Sequence, residues 1–314
     1  MSEGSQLKLD AHFINCGQSY GQFPEGLIVL SLLDAAKTYP ELVAAPENLT
    51  GNLIYVPQQV KIEKPIVIYN HAAHNHILIV CDNDAVINII EDFTSSSDDI
   101  HNVTEIKLAP LARCKHLVIQ RLAAEKLHSQ VRVEQQNNTI FESFLLQKGS
   151  SLSEFEISVN LCGENAQTNL SGVFRGNGKQ IHKQTVNVNH LVPNCHSSQL
   201  FRGILDNHAQ GFFYGEVEVL KNAIKTQAHQ SNKNLLLSKY AQMTTCPQLQ
   251  IYADDVICTH GATVGQLEDD ALFYLQSRGI EYADAKNLLV EAFMQEPITS
   301  ITNGIFKQCC LENL

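Results

Sequence analysis

Residues Ala253–Ile280 read ADDVICTHGATVGQLEDDALFYLQSRGI, and the change of period inside this stretch divides the chain. Asp254 and Asp255 open a strand-like run that carries Cys258 and His260 two residues apart. On an extended strand residues i and i+2 point to one face, so this thiol and imidazole share a surface. Gly261 and Gly265 are expected to break the strand and supply the backbone freedom of a turn. From there the spacing becomes helical. Leu267, Ala271, Tyr274 and Leu275 form the stripe, Glu268, Asp269 and Asp270 sit where a helix N-terminus favours acids, and Gly279 can end the helix. A soft ligand beside a borderline one is the kind of pair that metals use. Taken alone it reads as a core cysteine beside a hydrogen-bonded histidine, because two ligands do not close a coordination shell.

Upstream, from Leu53 to about Cys258, the chain is a series of short apolar runs. They include IVIY at Ile66, HILIV at His76, AVINII at Ala85, HLVIQ at His116, VRVE at Val131 and FESFLL at Phe141. FEISV at Phe155, TVNVN at Thr185, EVEV at Glu216 and LQIYA at Leu249 continue the series. Gly, Asn, Asp or Ser separate runs that recur every 10 to 15 residues or so, which is all-β spacing. No helix-length amphipathic segment lies between them, which argues against a βαβ sheet. Sandwich, barrel and β-solenoid all fit this pattern, and no strict repeat is evident. AHQSNKN at Ala228 suits side chains stacked on neighbouring coils or a solvated turn. Before the series, LIVL reads as a strand leading into a short helix, SLLDAAKTYPELV, stopped around Pro40 and Pro46.

Downstream of Ile280 the chain is helical. Ala285, Leu288, Leu289, Ala292 and Phe293 follow i, i+3, i+4, i+7, i+8 spacing, Asp284 is placed to cap, and Pro297 is expected to end the helix. A last helix carries Ile301, Ile305 and Cys309. The organisation is therefore an N-terminal segment (1–50), a β core (51–280) and a small helical domain (281–314).

Composition narrows the function classes. Of 314 residues 44% are hydrophobic and 18% charged, enough to build a core and too apolar for disorder. A net charge of −11 disfavours nucleic acid and anionic membranes as partners. No run approaches the roughly 18 apolar residues of a membrane span, and MSEGSQLKLD is not a secretory signal. Nine cysteines without regular spacing do not describe a disulfide framework, so a reduced, cytoplasmic protein is expected. GNGKQ at Gly176 fails as a phosphate loop, because Val173 stands where the first glycine is needed and Gln180 where Ser or Thr is needed. There is no G-x-S-x-G elbow and no H-E-x-x-H helix. HAAHNH (His71, His74, His76) reads as a polar turn rather than a metal site, because no acid or thiol closes the set nearby.

The wording of the opening stretch resembles a known family. ADDV-C-THGATVGQL followed by LFYL-SRGI is similar to the C-terminal core of SufD, a scaffold subunit of the SUF iron–sulfur cluster assembly machinery. SSQLFRGILDNHAQGFFYGEVEV (Ser197–Val219), TQAHQSNKNLLLS (Thr226–Ser238) and, more loosely, GNLIYVPQQVKIEKPIVI (Gly51–Ile68) extend the resemblance from about residue 20 to the end. It implies a right-handed parallel β-helix with a small C-terminal α-helical domain. It also implies a longer helical region before the core, so that 1–50 is a reduced N-terminal segment and the stretch around Ser31–Val43 a remnant.

Functionally the resemblance implies a non-enzymatic scaffold with two partners, a SufB-like paralogue and a SufC-like ABC ATPase, and a homodimer in isolation. His260 carries over as the cluster-assembly residue and metal ligand, with Cys258 as an accessory thiolate. The iron–sulfur cluster is then transient and shared with the partner subunit, with no cofactor tightly bound to the chain alone. The ATPase is expected on the C-terminal helices, with Asp284, Leu288, Glu291 and Phe293 as candidate contacts. A β-helix carbohydrate lyase or hydrolase, and a structural homodimer without cluster work, are the rival readings.

Overall fold

The computed structural model describes residues 12–15, 18–19, 23–43, 50–70, 73–93, 99–122 and 126–314. His71 and Pro46 lie outside the described residues. Between Asn52 and Gln266 successive strands alternate between two sheets, and within each sheet strands two apart in sequence pair in parallel. The product is a parallel β-solenoid of about eight turns, mostly strand, followed by helices. One sheet ends with the strands Gln227–Leu236 and Ile257–Gln266, the other with Gln210–Val219 and Gln242–Ile251. Among the described residues antiparallel pairs occur only at the beginning, where Ile28–Ser31 pairs with Asn52–Val56 and His12–Asn15 with Gln18–Ser19.

A repeat does exist, although no strict one is visible in the letters. Asp84, Leu111, Asn138, Asn165, Asn194 and Lys225 all have φ between 56° and 68°, the left-handed region, one in each coil. Each marks the same corner. The N–H of Asp84 reaches Pro110 O, that of Leu111 reaches Asn137 O, and that of Asn138 reaches Glu164 O on the next coil. Asn and Asp tolerate this conformation at modest cost, whereas Leu111 and Lys225 are held there by the corner's hydrogen bonds. Stacked partners are 27 residues apart at Arg113 and Ile140 but 31 apart at His196 and Gln227. That drift, with little identity at any position, hides the period.

The two sheets differ in what covers them. Leu152–Leu161 buries every second residue, Ser153, Phe155, Ile157, Val159 and Leu161, while Glu154 and Glu156 face water. Ile140–Gly149 instead buries both faces: Phe141 and Leu145 fill the lumen, and Phe144 and Leu146 lie under helices. A strand covered on both sides reads as a continuous apolar run, which explains FESFLL. The lumen combines apolar side chains with buried polar ones along its length, including a group around Glu91. That carboxylate accepts from Asn70 and Asn102 at 3.1 Å and faces His116 Nε2 at 2.9 Å.

Four helices complete the described residues. α1 (Leu32–Thr38) is capped by Ser31, whose Oγ accepts from Asp34 N, and buries Leu32 and Ala35 over Leu53, Leu78 and Val80. α2 (Asp269–Ser277) ends as expected: Gly279 has φ +85°, and its N–H and that of Ile280 close onto Gln276 O and Leu275 O. α3 (Tyr282–Thr299) and α4 (Gly304–Asn313) fold back over the outer face of the sheet ending in Ile257–Gln266. Val290, Met294, Ile298, Phe306, Cys309 and Cys310 pack there on Leu117, Ile119, Phe144, Leu146, Val173 and Ile204.

Several expectations need correction. Gly261 and Gly265 do not break the strand, which runs unbroken from Ile257 to Gln266, and neither glycine has a positive φ. In α2 the buried residue is Leu272, and Tyr274 is exposed. In α3 the buried line is Ala285, Val290, Met294 and Ile298, so Leu288 and Ala292 fall outside it. Asp284 sits within the first turn, Glu281 occupies the cap position, and no side chain caps this helix. Pro297 lies inside α3 rather than ending it. In the last turn, a proline costs one backbone hydrogen bond, and here burial of Pro297 and Ile298 offsets that loss. His74 and His76 belong to the strand His74–Cys81, not to a polar turn, and His74, His101 and His128 stack at 5.3 and 4.9 Å on its outer face. AHQSNKN is strand too, with Gln230 donating to Gln199 on the neighbouring coil at 2.6 Å.

Candidate functional site

Cys258 and His260 lie on the strand Ile257–Gln266, which is last in its sheet. Its inner edge pairs with Gln227–Leu236 in register, setting Cys258 beside Ala228 and His260 beside Gln230. Among the described residues no strand pairs with its outer edge. Ala228, Gln230, Asn232 and Asn234 are buried on the lumen side, so parity turns both Cys258 and His260 toward the lumen. His260 ends a column of stacked positions that runs His116, Ser143, Leu170, Gln199, Gln230 and His260.

The two side chains sit in different surroundings. Cys258 is half-buried against the cluster of Val217, Val219, Ala223, Ala228 and Ala253. That burial pushes its thiol up from the ordinary range, and the contact with Ala228 N–H only partly offsets it. His260 is exposed and has no hydrogen-bond partner among the described residues. No group of three His, Cys, Asp or Glu side chains able to hold a metal occurs among the described residues. This strand thus carries a thiol and an imidazole on one face beside an edge that no described strand covers. Two donors do not close a coordination shell, so further ligands must come from outside this strand if a metal is to be held.

The rim around this strand is apolar. Tyr252 is 58% and Ile257 59% exposed, and Ile251 and Val264 are exposed with them. An apolar rim beside an unpaired strand edge is the kind of surface that proteins cover with another chain. Sequence reading did not single out Ile251 and Tyr252, because LQIYA looks like any other core strand. Only its position in the last coil leaves it uncovered.

The residues expected to contact a second partner lie apart from this strand. Asp284, Leu288 and Glu291 are exposed on α3. Phe293 turns inward, and the Arg202 guanidinium lies 5.9 Å from its ring centroid. Arg202 is itself fully buried, donates to Phe201 O at 2.9 Å and pairs with Glu296 of α3. The sequence carries no signal for this contact, whose partners are 94 residues apart.

Comparisons with known proteins bear on this arrangement. The family described as SUF system FeS cluster assembly, SufBD core domain, matches residues 66–293, which include the strand bearing Cys258 and His260 and most of α3. The iron–sulfur cluster assembly protein SufD of Escherichia coli is 32% identical over 251 residues, 78% of this chain and 59% of that protein. An iron–sulfur cluster assembly SufBD family protein of Synechocystis is 33% identical over 252 residues, 74% of this chain and 55% of that one. A chloroplastic protein of Arabidopsis thaliana is 28% identical over 274 residues, 80% of this chain and 57% of its own length. The chain spans a little over half the length of these relatives. With 228 consecutive residues matched by one domain family on a fold of stacked parallel coils, the chain belongs to the SufBD core family of SUF-system iron–sulfur cluster assembly proteins.

Proposed function

We propose that this chain is a scaffold subunit of SUF iron–sulfur cluster assembly, in which the strand Ile257–Gln266 pairs with a SufB-like paralogue and α3 and α4 receive a SufC-like ATPase. The observation that carries this reading is the incomplete ligand pair. Cys258 and His260 face one way from a strand whose outer edge is unpaired among the described residues, inside the segment matched by the family, with too few donors among those residues to hold a metal alone. A second subunit adding a strand at that edge brings its own donors to the same place.

In this reading the cluster is cargo. His260, exposed and unpartnered among the described residues, is the principal ligand from this side. Cys258 has the secondary role, because its burial favours the protonated thiol over the thiolate that binds iron. ATP hydrolysis belongs to the partner, and the chain itself catalyses nothing. The described cysteines are all free thiols, which suits a reducing cytoplasm. Without its paralogue the same edge accepts a second copy, giving a homodimer.

The test is co-expression of the chain with its paralogue and ATPase, comparing wild type with His260→Ala and Cys258→Ser. An exposed side chain without hydrogen bonds contributes within about 0.5 kcal/mol to stability. His260→Ala should therefore melt with wild type and assemble normally, while the purified complex holds less iron and sulfide after anaerobic reconstitution. Cys258→Ser should lose less. Normal cluster loading by His260→Ala would remove this residue from the site, and failure to recover either partner would remove the scaffold reading.

A further inference from the structure

Three cations stand in one row on the helix-covered face of the solenoid. Lys148 is in register with Arg121 on one neighbouring strand and with Arg175 on the other. The parity of Leu146, which packs under α3 and α4, puts Lys148 on that outer face, and Arg121 reaches Asn313 of α4 from the same side. Adjacent strands are about 4.8 Å apart, so like charges in register repel unless something lies between them. Asp92 neutralises Arg121 at 2.9 Å. Among the described residues Lys148 and Arg175 have no ion-pair partner, although acids outnumber bases 33 to 22 in the whole chain. Lys148 is half-buried, and burial together with Arg175 and Arg121 lowers its pKa from the usual value.

Arg175 also lines a cavity of about 490 Å³ between the sheet and the helices. Asn287 and Gln295 offer amide donors there, and Val290, Met294, Ile298 and Leu311 form an apolar wall. The Glu291 carboxylate and Leu314 line it as well, which favours an anionic group at the Lys148 side and an uncharged body in the cavity.

We infer that Lys148 and Arg175, backed by Arg121, form a binding site for a small phosphate-class oxyanion, with the adjoining cavity able to take an organic body attached to it. A tetrahedral oxyanion between the two unpaired cations accepts charge-assisted hydrogen bonds from both and removes the repulsion along the row. The site lies on the face opposite the lumen-directed Cys258 and His260, and it needs no partner chain.

The probe is inorganic pyrophosphate, titrated calorimetrically into the full chain at constant ionic strength, with melting followed in parallel. One saturable site is expected in wild type, and pyrophosphate should raise the melting temperature relative to sodium chloride of equal ionic strength. Lys148→Gln and Arg175→Gln should each weaken binding roughly tenfold or more, whereas Lys148→Arg should retain it. Without pyrophosphate, Lys148→Gln should melt no lower than wild type, because it removes a like charge from the row. Arg175 is exposed, so its variant tests the site even if Lys148→Gln folds poorly. No saturable binding at millimolar pyrophosphate, or equal binding by wild type and Arg175→Gln, would overturn the inference.

Discussion

Glu296→Ala should loosen the C-terminal helices while leaving the solenoid intact. Arg202 has 2% of its side chain exposed and Glu296 59%, so the two partners of this pair are unequal. Removing one partner of a fully buried pair costs about 3–5 kcal/mol, because an uncompensated charge stays behind. A surface pair contributes about 0–1 kcal/mol. Here the group left behind is the buried one, but water reaches the vacated position through the exposed carboxylate's place. Arg202 also keeps its hydrogen bond to Phe201 O and its place over Phe293. The expected cost therefore falls between the limits, at about 1–2 kcal/mol. Arg202→Met removes the buried charge and leaves a carboxylate that can turn into water, so it should cost no more than Glu296→Ala. The two changes should be strongly non-additive when combined. Hydrogen exchange read by mass spectrometry separates local from global opening. If α3 exchanges by undocking, a loss of that size speeds its amides roughly 5- to 30-fold, with the strands of residues 113–161 unchanged. Unchanged exchange in α3 for Glu296→Ala, or uniform acceleration throughout the chain, would refute the assignment of Arg202 as the tie between helix and sheet.

Two further expectations follow from the lumen. His182 and His190 are fully buried, and burial lowers each pKa to about 4 from an ordinary 6.5, with His196 adding to the effect on His190. The folded state thus binds these protons later than the unfolded state, so stability is full above pH 6.5 and falls as pH drops from there toward 4. With two protons taken up on unfolding, the slope approaches about 2.7 kcal/mol per pH unit. Denaturant titrations of wild type and His182→Leu should show the variant with about half that slope, and a flat profile between pH 6 and 5 would contradict it. Glu91 does not confuse this window: burial raises its pKa, but His116, Thr104 and Asn70 outweigh that and hold it below the ordinary carboxylate range. The second expectation concerns glycine. A Cβ at Gly203 would lie 2.2 Å from the Phe174 ring and 2.4 Å from Asn234 Oδ1, so Gly203→Ala should cost about 1–3 kcal/mol by overpacking. Gly261 has open space at that position, so Gly261→Ala should leave the melting temperature unchanged.

The strands could be read from the residues far more readily than their arrangement. Alternation in VRVE and FEISV is a local property, and every run singled out for it falls on a strand, although LQIYA leaves its strand after Ile251. Asp99–Leu108, Gln167–Gly176 and His196–Leu205 escaped notice because their buried positions include Asn102, Thr104, Thr168, Ser197, Gln199 and Arg202, which a polarity pattern counts as surface. A solenoid can bury such groups because neighbouring coils stack like on like, as Gln230 does on Gln199. The helical stripe of α3 was displaced by about one position because Leu288 and Val290 compete for the core, and only the location of the sheet decides between them. The choice among sandwich, barrel and solenoid depends on which strand pairs with which. That information lies in the corner residues from Asp84 to Lys225, which share a conformation but not an identity.

The candidate site shows the same division. That Cys258 and His260 share a face follows from strand parity alone, but which face it is, and that no described strand pairs beyond it, follow from the number of coils. In a coil one turn earlier, the position of His260 is occupied by Gln230, buried and bonded within the stack. An imidazole placed there would be a satisfied core group, which is what a C-x-H pair suggests when read in isolation. The same two letters in the final coil leave an imidazole with no hydrogen-bond partner among the described residues, beside a thiol and an apolar rim. An open solenoid end therefore turns a core position into an exposed one. That is why Gly261 and Gly265, which lie within the strand with open space beside them, fit an edge that another backbone can approach closely rather than a turn.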